Sequence, residues 1–231
     1  MPSSGRRPAP LGVPHLDEML AVTNVDTVAT VNAHVLRHFA ERDPRVLADR
    51  MDEAVEAVLA GSEGLDPATP IGWLGGSRVP VAGVVAHLVN ELLVHGWDIA
   101  RARRVDWPMP DEHCALYWEL FFCGMLRLEY GTLLNTTVRM PRRPIAVRFT
   151  SRHTPPETIV LRDGRVGLAP PGAPYDVRVR FRPARFNLML FGRVSPLRAA
   201  LRRDVVVGGP RPWLLPSFLR VVHMPDNALP V

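Results

Sequence analysis

The apolar residues of this chain change period part-way along it. Up to about Leu134 they recur every three or four residues, the spacing of one helix face; beyond Asn135 short runs alternate apolar with polar, the period of a half-buried strand. A chain with both patterns in succession is expected to fold as a helical part followed by an α+β part. Four helices are expected first: Asp26 to Glu41; a second capped by Asp43 with Pro44 at its first position, running to Ala60; a third from about Pro80 to Arg104; and a fourth from Asp111 to about Leu134. The stretch Ser62 to Arg78 reads as a loop. Strands are expected at Ile145 to Thr150, Thr158 to Leu161, Arg165 to Ala169, Asp176 to Arg182 and Asp204 to Val207, with Asp163-Gly164 as a hairpin turn. Pro183 and Ser195-Pro196 signal short helices, and Trp213 to Val222 a last one.

Charge divides the chain at nearly the same place. Residues 1–138 hold 11 Arg against 18 acids, a net of −7, and residues 139–231 hold 17 Arg against 5 acids, a net of +12. The expected organisation is therefore a Pro-rich arm at 1–14, a helical bundle at 15–138 and an α+β domain at 139–231. The basic half invites a nucleic-acid reading, but Arg178, Arg180 and Arg182 alternate with Val177, Val179 and Phe181 as the solvated side of a strand does, and no zinc-finger, RNA-binding or helix-turn-helix signature accompanies them. Anionic small molecules or lipid headgroups fit better than nucleic acid. Cys114 and Cys123 lie nine apart in one expected helix, too far to pair, which suits reduced thiols in the cytoplasm. No run of apolar residues is long enough for a membrane span.

Chemistry concentrates in one helix. From His87 to Ala102 the chain reads HLVNELLVHGWDIARA, with an acid and an imidazole one turn apart. Val81, Val84, Val85, Leu88, Leu92 and Ile99 recur at helical spacing, and Glu91 and His95 border that stripe, so both are expected to point into the bundle. Residues at i and i+4 have Cα atoms about 6 Å apart, which suits two ligands of one divalent metal ion. Asp98 could hold the ring nitrogen of His95 that the metal leaves free. His87 stands roughly 12 Å along the axis from His95, too far to chelate with it. One helix supplies two ligands at most, and a third has to come from another. On spacing alone, a core histidine bonded to a neighbouring glutamate is the commoner explanation of such a pair. His34 and His38, also at i and i+4, read as half-exposed flanks of their helix.

The run E-L-L-V-H-G-W-D-I-A resembles the signature of the mycothiol-dependent maleylpyruvate isomerase family, whose N-terminal domain is a DinB-like metal-binding helical bundle. The resemblance implies that Glu91 and His95 are metal ligands, that the metal is divalent, with zinc the first expectation, and that the thiol cofactor is mycothiol. The family's remaining ligand is a His of an earlier H-L pair that follows a W-T-V-like start. His15-Leu16 is such a pair, but the lead-in is missing and Asn32, where the next helix is already under way, follows 17 residues later; the chain is expected to lack most of the family's first two helices. Farther on, F-N-L-M-L-F-G-R-V-S-P-L-R-A-A and V-V-V-G-G-P-R-P-W-L-L-P-S-F-L resemble a sterol-carrier-protein-like domain. The expected fold is thus an incomplete DinB-like bundle joined to a sterol-carrier-like antiparallel sheet with helices. The absence of Lys and Gln suggests a GC-rich genome, which fits an actinobacterial family.

Two functions follow. The first is an enzyme of the mycothiol-dependent isomerase or thiol-transferase type, acting on a small electrophilic substrate, with arginines of the basic half holding a carboxylate. The second is a non-catalytic protein with a decayed metal site that carries a hydrophobic ligand among Phe186, Leu188, Leu190, Phe191, Leu214, Leu215 and Phe218. A structural bundle that forms homodimers is a third reading, with neither metal nor ligand.

Overall fold

The structure, a computed structural model, describes residues 12–224, so most of the expected N-terminal arm lies outside the described residues. The helical part begins with α1 (Leu16–Val22), which the Pro-rich opening did not suggest; Asp17 and Glu18 sit in its first turn, where acids favour a helix start. Then come α2 (Val28–His38) and α3 (Pro44–Ser62). The expected cap is present, with the Asp43 carboxylate accepting from the Arg45 N–H at 2.9 Å, and the helix passes Gly61 by one residue. The expected loop at 62–78 contains a small hairpin, β1 (Pro70–Gly72) paired with β2 (Arg78–Pro80). Helix α4 (Val81–Arg103) carries the motif. After it α5 (Asp111–Leu116) runs through a π-helical turn (Tyr117–Phe122) into α6 (Cys123–Arg127), short of the expected Leu134.

The helical part is loosely packed at its start. Neither α1 nor α3 buries a residue and α2 buries Val31 alone; Met51 and Leu59 of α3 are each 51% exposed.

Beyond 144 the strands match the alternating runs closely: β3 (Ile145–Thr150), β4 (Glu157–Arg162), β5 (Arg165–Leu168), β6 (Val177–Phe181) and β7 (Val205–Gly208). Asp163 and Gly164 turn β4 into β5 with φ of 49° and 77°, left-handed values that Asp and Gly tolerate and that suit a two-residue hairpin. The sheet order is β5-β4-β3-β6-β7. All pairs are antiparallel except β3 with β6, which run parallel. Helices α7 (Pro183–Leu190), α8 (Pro196–Leu201) and α9 (Leu215–Leu219) complete the fold. Ser195 caps α8 by accepting from the Arg198 N–H.

One apolar core crosses the position, 138/139, at which charge and period change. The inner face of the sheet, with Val147, Phe149, Ile159, Val177, Val179 and Phe181, buries against Tyr117, Trp118, Phe121 and Phe122 of the helical part and against Phe186 and Phe218. Trp118 is the centre of this contact. Its ring lies 4.6 Å from Phe149, 5.2 Å from Phe122, and 5.6 Å from both Phe181 and Phe186. A buried amide pins the same junction: the Asn187 Nδ2 donates to the Asn90 Oδ1 and to the Cys114 carbonyl, each at 2.9 Å, joining α7 to α4 and α5.

Replacing Trp118 with alanine should lower the stability of the whole chain by about 3–5 kcal/mol in denaturant titration, the cost of truncating a large buried aromatic. A fragment beginning at Arg139 leaves the inner sheet face without Trp118 and Phe122. It should show no cooperative melt and no near-ultraviolet circular dichroism, whereas the full chain shows both.

Candidate metal and thiol site

The buried face of α4 is not the apolar stripe expected from its sequence. Of that stripe Val81 is buried, Val84, Val85, Leu88 and Leu92 are half-buried and Ile99 is 67% exposed, while Gly83, Ala86, Asn90, Val94 and Ala100 face inward. The line 83-86-90-94 is made of small side chains and one amide, so the neighbouring helix comes close there, and the bulkier residues are left on the flanks. Glu91 and His95 therefore sit on the rim beside that face, their side chains 39% and 58% exposed, rather than in the interior. Gly96 has its own reason. A Cβ at this position would stand 2.4 Å from the ring of Trp107, whose Nε1 donates to the Leu93 carbonyl at 3.1 Å.

The Glu91 carboxylate lies between two imidazoles. Its Oε2 is 3.2 Å from His95 Nε2 and its Oε1 is 3.8 Å from His87 Nδ1. On the far side of the ring, His95 Nδ1 is 3.5 Å from Asp98 Oδ2, the neighbour expected from the three-residue spacing. Asp98 is in turn gripped by Arg193, whose Nη2 donates to Oδ2 at 2.6 Å and whose Nε is 3.2 Å from both oxygens. Arg193 also donates through Nη1 to the Phe191 carbonyl at 2.6 Å. The site is thus built from both parts of the chain. Sequence alone could not choose Arg193, since all 28 basic residues are arginines and this one comes from the connection after α7.

Electrostatics follow the geometry. Burial works against the charge on Glu91, but the His95 hydrogen bond and the nearby His87, His95 and Arg193 together hold its pKa below the usual value. The same hydrogen bond raises His95, and Arg193 lowers Asp98. His87 behaves differently. Burial lowers its pKa against the pull of Glu91, its ring stacks on Phe121 at 4.5 Å and meets the edge of Trp73 at 5.1 Å, and its buried Nδ1 has no hydrogen-bond partner.

Glu91 Oε2 and His95 Nε2 face each other at a separation that two ligands of one ion adopt, and Asp98 stands at the opposite ring nitrogen as a supporting carboxylate does. These residues fit two positions of a divalent cation's shell. Among the described residues no three His, Cys, Asp or Glu converge to hold a metal. The other candidates are engaged elsewhere: His15 with Glu18, His34 with the Pro14 carbonyl, and His38 with the His34 carbonyl. Cys114 and Cys123 are buried without a disulfide. Burial pushes the Cys114 thiol up to about 12 and that of Cys123 also upward, so neither supplies a thiolate near neutral pH.

The apolar residues considered for a hydrophobic ligand are core. Phe186, Leu190, Leu215 and Phe218 border a cavity of about 70 Å³ between the sheet and the helices, Leu188 is 1% exposed, and Phe191 packs edge-on to Tyr117 at 5.5 Å. Small-molecule pockets run to roughly 300–1,000 Å³, and this cavity is well below that range.

Comparison with known proteins finds a family model that matches much of the helical part. No curated protein matches the chain. Among solved structures it is similar to the apo form of sterol carrier protein 2 from Yarrowia lipolytica, at 20% identity and a TM-score of 0.23, over 29% of this chain and 60% of that one. It is also similar to the stereoselective inverting sec-alkylsulfatase Pisa1 from Pseudomonas sp., at 11% identity and a TM-score of 0.31, over 96% of this chain and 44% of that one. The chain thus spans less than two thirds of the length of either. Residues 9–100, which include Glu91, His95 and Asp98, match the family described as the mycothiol maleylpyruvate isomerase N-terminal domain.

Proposed function

We propose that the chain is a metal-dependent, mycothiol-dependent enzyme of the isomerase or thiol-transferase type, working in the cytoplasm on a small electrophilic substrate. The observation that carries this reading is the facing of Glu91 Oε2 and His95 Nε2 at 3.2 Å, with Asp98 at the other ring nitrogen. Glu91 and His95 would hold the ion, zinc by first choice for a mixed carboxylate and imidazole set. A bound divalent ion lowers the pKa of a coordinated thiol, which is the chemistry a thiol-dependent addition needs near neutral pH. The rest belongs to the protein. Asp98 fixes the ring orientation of His95, Arg193 fixes Asp98, and the half-exposed rim leaves the remaining coordination positions open to thiol and water. With two protein ligands the chelate is incomplete, so affinity depends on what else binds.

Zinc should bind weakly or below one ion per chain, judged by elemental analysis of protein prepared without chelators and by calorimetric titration. Glu91→Ala or His95→Ala should remove that binding, and mycothiol-dependent turnover of an unsaturated keto acid should fall with it. Asp98→Asn should weaken zinc by about 10–100-fold, as loss of a ligand's supporting carboxylate does. Zinc bound with the same affinity in Glu91→Ala and His95→Ala would sink the reading.

The metal-free protein carries a separate test. His95 is raised above its ordinary 6.5 by Glu91, so its stabilising contribution is fully present below 6.5 and is lost as pH rises through its folded pKa. Glu91 is lowered below its ordinary 4.5, so its contribution is fully present above 4.5 and is lost as pH falls through its folded pKa. The pair stabilises most between those two values. His95→Ala should therefore lower the denaturant midpoint more at pH 5.5 than at pH 9.

A further inference from the structure

The end of the sheet away from the metal and thiol site holds a second concave region. Arg152, Arg180, Arg182 and Arg203 line one cavity of about 590 Å³, with the hydroxyls of Thr150 and Ser151 beside them and Asp111 and Asp204 at its wall. The topology gathers them. The parallel pairing of β3 with β6 sets Thr150 next to Arg180, the antiparallel pairing of β6 with β7 brings up the segment that begins at Arg203, and the start of α7 closes the side at Pro183.

The charges there are unequal. Arg182 occupies both carboxylates, with Nε 3.5 Å from Asp111 Oδ2 and Nη1 3.6 Å from Asp204 Oδ1. Asp111 is further committed through Oδ1, which accepts from the Ala184 N–H at 2.9 Å. Among the described residues Arg152, Arg180 and Arg203 have no carboxylate within ion-pair distance, so three guanidiniums border one cavity uncompensated. Solvated arginines on a strand face are ordinary, and Arg178, two residues before Arg180 on the same face, is one of them outside this cavity. Arg148 on β3 is satisfied by Thr158, the Ala173 carbonyl and the Tyr175 ring. The three in the cavity differ in being gathered in a concave space of ligand size.

A single carboxylate would leave two of the three charges unanswered. A phosphate monoester, with about −1.5 to −2 charge and three acceptor oxygens, answers more of them, and a diphosphate more still. We propose that this cavity binds a soluble phosphorylated small molecule through Arg152, Arg180 and Arg203. This goes beyond the metal and thiol reading and does not depend on it. The two sites lie at opposite ends of α7, about 12 Å of helix apart.

The test is calorimetric titration of the full chain, in a low-chloride buffer, with inorganic phosphate, pyrophosphate and ADP. Saturable one-to-one binding of at least one probe is expected, strongest for those with more charge. Arg180→Ala and Arg152→Ala should each weaken it by at least about tenfold, the value of one charge-assisted hydrogen-bond partner, while Arg178→Ala leaves it within about twofold; circular dichroism checks that all three fold. Three results would overturn the proposal. One is no saturable binding of any probe. Another is an equal loss in Arg178→Ala, which would reduce the effect to general surface charge. The third is capture by phosphatidylglycerol vesicles or by single-stranded RNA that neither pyrophosphate nor ADP displaces, which would make the basic face a macromolecular surface instead.

Discussion

Trp118 and its aromatic neighbours are what make one molecule out of two unlike stretches of chain. A five-stranded sheet with one apolar face is not stable until something covers that face, and here the cover comes from the π-helical turn, α6, α7 and α9 together. Trp118 and Phe122 stack with ring centroids 5.2 Å apart, and Trp118 meets Phe149 and Phe181 of the sheet and Phe186 of α7. Such ring contacts add to plain area burial because the edges and faces of aromatic rings attract. The buried amide of Asn187 adds direction to this greasy contact. Its bonds to Asn90 and to the Cys114 carbonyl are made in only one register of α7 against α4 and α5.

That register is what creates the rim of charged groups. The loop after α7 can deliver Arg193 to Asp98 only because α7 is fixed against α4, and Asp98 then holds the ring of His95 from the side opposite Glu91. A four-residue spacing made Glu91 and His95 legible in the sequence, and a three-residue spacing did the same for Asp98. Their exposure was not legible. Hydrophobicity marked Leu88, Leu92 and Ile99 as the inward face, whereas closeness of approach chose Gly83, Ala86 and Asn90. Small residues give no strong signal in an apolar count, yet they decide which face a neighbouring helix can reach. Arg193 could not be chosen either, because its partner lies 95 residues away.

The elements that sequence located best are those whose ends are written in local chemistry. Asp43-Pro44 and Ser195-Pro196 start helices with a side-chain cap and a fixed φ, and Asp163-Gly164 turns a hairpin through left-handed backbone. Those missed depend on distant contacts. The π-helical turn lies where Tyr117, Trp118, Phe121 and Phe122 are all buried, the ladder widening at the most crowded part of the core. The β1–β2 hairpin is pinned by the Glu129 carbonyl, which accepts from the Arg78 N–H at 2.7 Å, and nothing near Arg78 announces it.

Helix α7 joins the chemistry of the two ends. Its first turn is tied to the helical part where Asp111 accepts from the Ala184 N–H, its middle where Asn187 meets Asn90, and the loop beyond it where Arg193 meets Asp98. Three attachments between Ala184 and Arg193 leave no low-energy way for α7 to slide, since any shift would leave buried polar groups without partners. The two sites are therefore not joined by a flexible segment. They are fixed at either end of one short strut, held by Asp111 at its first turn, Asn90 at its middle and Asp98 beyond its end.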